Sequence, residues 1–372
     1  MGGVSAMNQV VHFGAGALGR GLVVPMLYES GMDVVLVDTN PRLIDFLRKN
    51  CVYQIDETDT AQRMKTIEVK DVIHSIDEKE KLTKVLKETK LVTTSVRREN
   101  LIHVARVLAD AWADTDNSNR RVYCCENVEG VGSYFKELLL ENAGNNQAEV
   151  NLGAVTVPDT IVDRICAANP EDLTITTEEF YEFCVDRETV EETGVEKIPA
   201  IGQITAHFYR KRYLLNSFAD ATAYLGVAKG HQYLYQAFID EEIQKEVDPF
   251  IQLVIGHLDV KYHIAREELN NWYALYKKRL ANPEIRRGLD TVARGGWSKL
   301  FLEERFVAPL LEMMELGVDI QDGICLIHQI VKVIQMEEAL TDEMVLDTLK
   351  KLWSVNGQGT RFLMEYQQFI LR

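Results

Sequence analysis

The sequence lacks the cysteine spacing of a disulfide framework or of a zinc site. Its six cysteines include no CxxC pair and share no regular spacing. They are Cys51, Cys124, Cys125, Cys166, Cys184 and Cys325. Residues 1–6 also lack the charged and apolar regions of a signal peptide. Both absences favour a reduced, cytoplasmic setting.

Long apolar runs and an excess of positive charge are also missing. No apolar run approaches the ~20 residues of a membrane-spanning helix. The formal net charge of −16 argues against nucleic acid and anionic membrane as partners, because both require a basic surface. A chain of 372 residues, 46% of them hydrophobic, is expected to form two soluble domains. The oligomeric state stays open, and a monomer is plausible.

The N-terminal part has the pattern of a dinucleotide-binding fold. A short apolar segment at residues 10–13 precedes a glycine-rich turn and a helical segment that extends to about Ser30. A second apolar segment, residues 34–37, ends at Asp38. Strand, glycine turn, helix, strand and acid in this order are typical of a Rossmann fold.

The residues of this pattern predict NAD as the cofactor. Gly14 permits the tight turn, Gly16 lets the backbone approach the pyrophosphate, and Gly19 allows close helix packing. Asp38 would accept hydrogen bonds from the adenosine ribose and repel a 2′-phosphate, which favours NAD over NADP. Thr94 lies within the strand-like segment at residues 91–96 and is expected to contribute. The predicted cofactor-binding residues are Gly14, Ala15, Gly16, Ala17, Leu18, Gly19, Asp38 and Thr94. A tight turn without a ligand is the alternative.

The rest of the chain divides near Pro199. Before it, strand-like segments alternate with helical ones, which predicts a mostly parallel, doubly wound sheet. The strand-like segments are residues 91–96, 121–125 and 150–157, followed by 173–177 and 180–185, which suggest a small antiparallel extension. From about Gln203 onward the periodicity is helical, interrupted by residues such as Pro249.

The predicted fold class is therefore α/β. A Rossmann-type domain with a small β extension is expected over residues 1–199. An all-helical domain that carries substrate-binding and catalytic groups is expected over residues 200–372.

One basic helix in the second part has the groups needed to remove a proton from an alcohol. At about 100° per residue on an α-helix, Asn216 lies about 140° from Lys211, with Ala219 between them. A buried lysine beside other positive charges, here Arg210 and Arg212, can act as a general base. An asparagine amide can hold the reacting oxygen. An ordinary amphipathic helix with solvated basic residues is the alternative.

Several motifs together resemble the polyol-specific long-chain dehydrogenases. They are HFGAGALGRG at residues 12–21, CEN at 125–127, VDRI at 162–165, Lys211 with Asn216, and AYLG at 223–226. The resemblance runs in order from about residue 8 to about residue 311. It implies a metal-independent NAD enzyme that interconverts a sugar-alcohol phosphate and a sugar phosphate by hydride transfer.

The resemblance also implies roles for individual residues. Lys211 would be the general base, and Asn127 and Asn216 would flank the reacting oxygen. Independently, Asn127 follows a predicted parallel strand, at the sheet edge where ligands bind in such folds. A turn-forming role before Gly130 is its alternative.

Five further residues are candidates for substrate binding. Asp163 and Arg164 could fix substrate hydroxyls or brace the two domains. Arg294, Lys299 and Arg305 could hold a phosphate or a polyol, because a guanidinium binds phosphate in bidentate fashion. Exposed helix charges are the alternative for these three.

The chain departs from the family pattern at Ala219, where a histidine is expected. A methyl group can neither donate a hydrogen bond nor orient the lysine, and loss of one such donor costs ~10²–10³ in rate. Asp220, next in the sequence, would disfavour a developing alkoxide. His207 and His231 could replace the missing group, although a structural role is the alternative for each.

Three hypotheses follow from the sequence. The chain is an active polyol-phosphate dehydrogenase, or an oxidoreductase of the same architecture that acts on a hexuronate or an unphosphorylated polyol. The third hypothesis is an NAD-binding sensor or scaffold that no longer catalyses, because Ala219 replaces the histidine.

Overall fold

The computed structural model describes residues 8–49, 51–61, 63–169 and 172–371. Residues 1–6, considered above as a possible leader, lie outside these ranges. A boundary between Thr205 and Ala206 divides the chain into two compact units. The sequence placed that boundary between residues 199 and 200. The N-terminal unit contains β-sheets with helices, and the C-terminal unit is built from helices.

Strands in the described part of the chain lie in the N-terminal unit. They are β1 (Gln9–Phe13), β2 (Asp33–Asp38), β3 (Val52–Glu57), β4 (Met64–Glu68), β5 (Asp71–His74), β6 (Leu91–Thr94), β7 (Arg121–Cys124), β8 (Thr160–Asp163), β9 (Cys166–Ala168), β10 (Ile175–Thr177), β11 (Glu182–Asp186) and β12 (Ala200–Ile201).

Helices occur in both units. In chain order they are α1 (Val24–Glu29), α2 (Pro41–Arg48), α3 (Lys79–Glu88), α4 (Leu101–Trp112), α5 (Val131–Glu141), α6 (Asn146–Gly153), α7 (Ile204–Tyr209), α8 (Ser217–Ala228), α9 (Leu234–Phe238), α10 (Glu241–Tyr262), α11 (Arg266–Leu280), α12 (Leu289–Val292), α13 (Ala308–Glu315), α14 (Gln321–Glu337), α15 (Asp342–Trp353) and α16 (Gly357–Ile370). Two π-helical segments, Gly19–Val23 and Arg210–Asn216, lead into α1 and α8. Short 3₁₀ turns are Arg98–Asn100 and Trp297–Leu300.

A parallel sheet with the order β5-β2-β1-β6-β7 forms the centre of the N-terminal unit. Its strands are rich in valine and buried on both faces, as parallel strands covered by helices are. Val10 belongs to a core with α1 and α2, whereas Val11 belongs to a core with α3, α4 and α5. The strand order reverses at β1, so ligands are expected beyond the carboxyl ends of β1 and β6. The predicted doubly wound sheet is confirmed.

Two smaller mixed sheets complete this unit, with the orders β4-β3-β10-β9 and β12-β11-β8. The sequence predicted one antiparallel extension from residues 173–177 and 180–185. That prediction is partly wrong, because β10 and β11 lie in different sheets. Each of these two strands has one antiparallel and one parallel neighbour. The position of β10 is set by its pairing with the distant β3, and that of β11 by its pairing with β8.

The strand predicted at residues 150–157 is wrong. Residues in its first half belong to α6, which begins after Asn145 because that side chain accepts a hydrogen bond from the backbone of Ala148 at 2.9 Å. Thr156 alone reaches the sheet, through a parallel bridge to Arg121. A short apolar run does not distinguish a strand from a buried helix.

The C-terminal unit confirms the predicted helical domain. Pro249, expected as an interruption, lies inside α10. Proline removes one backbone hydrogen bond from the helix. The buried Phe250, Ile251 and Val254 side chains of α10 continue the packed face past it. Tertiary packing therefore outweighs the local cost.

Candidate active site

The glycine turn after β1 is closely packed at two of its three glycines. Gly14 has a φ of +107°, and a Cβ there would lie 2.6 Å from the carbonyl oxygen of Ser95. A Cβ on Gly19 would lie 2.0 Å from the carbonyl oxygen of Gly14. A Cβ on Gly16 would meet no such atom within 4 Å. Packing therefore requires Gly14 and Gly19, whereas the bare, exposed backbone at Gly16 fits the approach of a pyrophosphate.

His12, which sequence reasoning did not single out, supports this turn through the Gly14 carbonyl. It is fully buried, with Nδ1 2.8 Å from the Thr93 hydroxyl and Nε2 3.0 Å from the Gly14 carbonyl oxygen. Ser95 also donates to that carbonyl, at 3.0 Å. A neutral imidazole that accepts at Nδ1 and donates at Nε2 satisfies these contacts. Burial accordingly lowers the pKa of His12 from 6.5 to about 4.

We predict that His12 makes folding sensitive to acid. Its pKa is 6.5 in the unfolded chain and about 4 in the native state, so the unfolded state binds more protons between these values. Stability should therefore fall as pH falls from 6.5 towards 4, by up to about 3 kcal/mol. His12→Gln should show a shallower fall in the free energy of unfolding, measured with denaturant across this range.

Exposed His103 on α4 provides the matched control. His103→Gln should follow the wild-type dependence of unfolding free energy on pH. A His12→Gln protein with the wild-type slope would show that His12 is not the group responsible.

Asp38 ties the glycine turn to the end of β2. Its carboxylate accepts backbone hydrogen bonds from Ala15 at 2.6 Å, Thr39 at 2.7 Å and Asn40 at 2.8 Å. A carboxylate offers about four acceptor positions, so one remains for a ribose hydroxyl. The arrangement fits the predicted role of Asp38.

Arg20, also missed from the sequence, holds the turn from the helix side. Its Nε donates to the Ala15 carbonyl at 2.7 Å, and its own carbonyl accepts from the Tyr53 hydroxyl at 2.8 Å. Burial lowers the pKa of this guanidinium. Asp38 accepts from the Ala15 N–H, and Arg20 donates to the Ala15 carbonyl. These two hydrogen bonds fix the backbone of the turn at Ala15.

A buried carboxyl group links the ends of β6 and β7. Glu126 accepts from the Thr94 hydroxyl at 2.7 Å and from the Val96 backbone at 2.8 Å, and burial raises its pKa. Asn127 follows with an exposed side chain. Glu126 therefore positions the strand end that carries Asn127. Thr94 uses its hydroxyl for this contact, and its predicted contact with the cofactor stays a prediction.

Arg164 and Asp163 are both buried in the N-terminal unit. The Arg164 guanidinium donates to Glu57 at 2.6 Å, to the Gly21 carbonyl at 2.9 Å and to the Glu178 carbonyl at 2.8 Å. These contacts brace β3 and the loop before β11 against the π-helical segment that follows the glycine turn. They support a bracing role for Arg164 within this unit.

Lys211 and Asn216 lie on a π-helical segment, so the regular α-helix assumed from the sequence is wrong for residues 210–216. A π-helix closes its turns between residues five apart. Lys211 and Asn216 are therefore on successive turns of one face, not about 140° apart. Lys211 is 9% exposed and Asn216 is half-buried. Such segments are frequent at functional sites.

The two arginines beside Lys211 have partners of their own. The Arg210 guanidinium lies 3.7 Å from the centre of the Trp272 ring. Arg212 donates to Glu304 at 2.8 Å, which offsets part of its charge. Arg212 therefore contributes less net positive charge near Lys211 than the sequence suggested, whereas the charge of Arg210 is retained.

Asp220 forms ion pairs with two of the predicted substrate-binding cations. Its carboxylate lies 2.9 Å from Lys299 Nζ and 3.0 Å from Arg305 Nη1, and only 6% of Asp220 is exposed. Burial lowers the pKa of Lys299, an effect that Asp220 opposes and Arg305 and Arg294 reinforce. The charge of Asp220, expected from the sequence to disfavour a developing alkoxide, is thus offset by two cations. Arg294 is exposed.

The two candidate histidines differ in their surroundings. His231 lies 3.0 Å from Asp240, which also caps the start of α10. This contact supports the structural role for His231. His207 is half-buried on α7.

Two family models cover most of the chain. One, described as "Mannitol dehydrogenase Rossmann domain", matches residues 8–197. The other, described as "Mannitol dehydrogenase C-terminal domain", matches residues 203–358. The chain belongs to the mannitol dehydrogenase family. The resemblance to polyol dehydrogenases, and with it an oxidoreductase family, is confirmed.

Curated members of the mannitol dehydrogenase family share about a quarter of their residues with this chain. Mannitol-1-phosphate 5-dehydrogenase of Aspergillus clavatus is 28% identical over 84% of this chain and 82% of its own length. The enzyme of the same name from Caldanaerobacter subterraneus is 28% identical over 84% and 83%.

Two solved structures of polyol dehydrogenases share the fold of this chain. Pseudomonas fluorescens mannitol 2-dehydrogenase, solved with NAD and D-mannitol, has a TM-score of 0.76 at 15% identity over 97% of this chain and 91% of its own. Substrate-free D-sorbitol dehydrogenase has a TM-score of 0.75 at 16% identity over 88% and 80%. The predicted fold is confirmed, and the predicted NAD cofactor agrees with the first of these structures.

The described residues contain neither a metal-binding cluster nor a membrane-spanning helix. No three His, Cys, Asp or Glu side chains there are grouped as a metal site requires. No helix there is long and apolar enough to cross a membrane.

Proposed function

We propose that this member of the mannitol dehydrogenase family transfers a hydride between NAD and a polyol. Mannitol 1-phosphate, with fructose 6-phosphate as its oxidised form, is the first candidate substrate pair. The observation that carries the proposal is buried Lys211 on a π-helical segment with Asn216 on the next turn of the same face. The curated relatives named for mannitol 1-phosphate support this choice of substrate.

Each proposed role follows from the chemistry of the side chain. Lys211 in its neutral form accepts the proton of the reacting hydroxyl. Asn216 and Asn127 hold the oxygen through their amide groups as it becomes a carbonyl oxygen. Bound NAD supplies the hydride acceptor, for which residues 14–19 and Asp38 form the site. Proton and hydride together account for the two hydrogens that an alcohol loses.

Substrate binding is assigned to charged residues. Asp163 is proposed to accept from substrate hydroxyls, and Arg294 with Lys299 and Arg305 to hold the phosphate or the distal hydroxyls. Arg164 is proposed to position the neighbouring Asp163 through its contacts with Glu57 and two carbonyls within the N-terminal unit. Independence from metal and a cytoplasmic location stay predictions, and the oligomeric state stays open.

An unphosphorylated polyol is the second candidate substrate. The ion pairs of Asp220 with Lys299 and Arg305 favour it, because they offset positive charge that a phosphate would otherwise meet. The two candidate substrates differ only in the phosphate group. Rates measured with a polyol and with its phosphate ester therefore distinguish them.

The test is NADH formation by the wild-type protein with mannitol 1-phosphate, mannitol, sorbitol and hexuronates, each with NAD and with NADP. Turnover of a phosphorylated or free polyol with NAD is the expected result. Turnover of a hexuronate and of no polyol would show that the substrate is a hexuronate and not a polyol. NAD binding without turnover of any of them would favour a sensor or scaffold.

We predict that Asp38→Ala weakens NAD binding and relaxes the preference for NAD over NADP. The variant removes both the ribose acceptor and the negative charge that repels a 2′-phosphate. It also removes three backbone hydrogen bonds. Asp38→Asn is therefore the control, because it keeps an acceptor oxygen without the charge. Calorimetric dissociation constants for both nucleotides provide the measurement, and tighter NADP than NAD binding in the wild type would contradict the assignment.

A further inference from the structure

Asp220, Lys299 and Arg305 form a cluster in the C-terminal unit that joins the α8 helix to the segment before α13. Each oxygen of the Asp220 carboxylate has its own cation, Lys299 at 2.9 Å and Arg305 at 3.0 Å. Lys299 also donates to the Val292 carbonyl at 2.7 Å, and Arg305 also meets Glu304 at 3.4 Å. Lys299 Nζ and two nitrogens of Arg305, Nη1 and Nε, therefore already contact acceptors of the protein.

The cluster contains a further polar group that the protein leaves without a hydrogen bond. Tyr224, one turn along α8 from Asp220, is fully buried, and its hydroxyl makes no hydrogen bond within the described residues. Lys299 Nζ lies 5.3 Å from the centre of the Tyr224 ring. Buried hydroxyls usually have a partner, so one without is a mark of a place where a ligand or water binds.

A carboxylate and a phosphoryl group use the same donors. Both present oxygens with negative charge, and both are bound by ammonium and guanidinium groups through short, charge-assisted hydrogen bonds. Lys299 and Arg305 thus cannot give their full donor set to a substrate phosphate while they hold Asp220. The substrate anion has to displace the carboxylate or share its cations.

We propose that Asp220 is a specificity-determining residue that competes with the substrate phosphate for Lys299 and Arg305. The inference rests on the proposed function for the identity of the substrate. It holds for any anion that reaches these two cations. Asp220 thereby lowers the preference of the site for phosphorylated over free polyols. It lies on α8, which directly follows the π-helical segment that carries Lys211.

The first test measures binding of inorganic phosphate, which requires no turnover. Asp220→Asn keeps the shape of the side chain and removes its charge. Its dissociation constant for phosphate, from calorimetry at fixed ionic strength, should be about tenfold lower than that of the wild type, because two charge-assisted contacts become available. An unchanged dissociation constant would overturn the proposal.

Asp56→Asn is the matched control. Asp56 lies on β3 in the other unit, where it pairs with Arg63, and its loss changes the net charge of the chain by the same amount. This control should bind phosphate as the wild type does. Phosphate affinity raised equally by both variants would show a general charge effect and would overturn the proposal.

A second pair of variants covers the case in which Asp220→Asn does not fold, since it leaves two half-buried cations without their partner. Lys299→Gln is compared with the double variant Asp220→Asn, Lys299→Gln. The double variant loses one negative and one positive charge and therefore keeps the net charge of the wild type. The double variant should bind phosphate more tightly than Lys299→Gln, because only in it is Arg305 released. Equal affinities would overturn the proposal.

The last test compares substrates. The ratio of kcat/KM for mannitol 1-phosphate to that for mannitol should rise about tenfold in Asp220→Asn, chiefly through a lower KM for the phosphate ester. A ratio that stays at the wild-type value would overturn the specificity role. If neither substrate turns over while phosphate binding tightens as expected, the proposed function fails and the competition by Asp220 stands.

Discussion

Replacing Lys211 by methionine should lower kcat for polyol oxidation by about 10²–10⁴-fold, the range typical of a lost general base. Methionine retains the length of the side chain but cannot accept a proton. The dissociation constant for NAD should stay at the wild-type value, because residues 14–19 and Asp38 belong to the other unit. Steady-state rates and calorimetric binding of NAD provide the two measurements.

Lys229 supplies the control for this variant. It follows the C-terminal end of α8, where it pairs with Asp240 and Glu242. Lys229→Met should therefore keep the wild-type rate. In the wild type, kcat/KM for oxidation should rise with pH through one ionisation, because Lys211 must be neutral to act. A Lys211→Met enzyme with near-normal turnover would contradict the assignment.

The second large effect is expected from alanine at the glycines of the turn. Gly16→Ala should weaken NAD binding about tenfold or more, since the new methyl group faces the approach of the pyrophosphate. Its free energy of unfolding should change by less than about 0.5 kcal/mol, because no neighbouring atom lies within 4 Å of the added Cβ. We therefore expect Gly16→Ala to weaken NAD binding without lowering the stability of the fold.

Gly19→Ala provides the contrasting case. Its Cβ would lie 2.0 Å from the Gly14 carbonyl oxygen, so the turn must shift. This overpacking should lower the free energy of unfolding by about 1–3 kcal/mol and weaken NAD binding as well. Denaturant unfolding and calorimetry on both variants test the pair. Equal unfolding energies for Gly16→Ala and Gly19→Ala would contradict the described geometry of the turn.

The dinucleotide motif was predictable because its information is local. Residues 9–38 contain strand, turn, helix, strand and acid within one continuous segment, and the structure has each of them. The helical periodicity after residue 203 was predictable for the same reason. In both cases the contacts that decide the structure are between residues close in the sequence.

The missed features depend on partners far apart in the sequence. His12 meets Thr93 and Ser95, about eighty residues later, and no local pattern announces this contact. Asp220 meets Arg305 across a comparable separation in sequence, so this ion pair could not be predicted from the residues around Asp220. The π-helical segment at residues 210–216 was missed because apolar periodicity assumes α-helical spacing.

Ala219 makes slow turnover a specific expectation. The loss of one positioned donor costs ~10²–10³ in rate, which leaves an active but slow enzyme if Lys211 and Asn216 are intact. The amount of product formed over a long incubation is therefore a better measure of activity than an initial rate.

The most direct measurement is deuterium transfer. Mannitol 1-phosphate and mannitol, each deuterated at the carbon that is oxidised, are incubated with NAD and the wild-type protein, and the mass of the NADH formed is determined. We expect deuterium in the NADH from at least one of the two polyols, and about 10²–10⁴-fold slower transfer with Lys211→Met. Bound NAD without any deuterium transfer from either polyol would contradict this expectation.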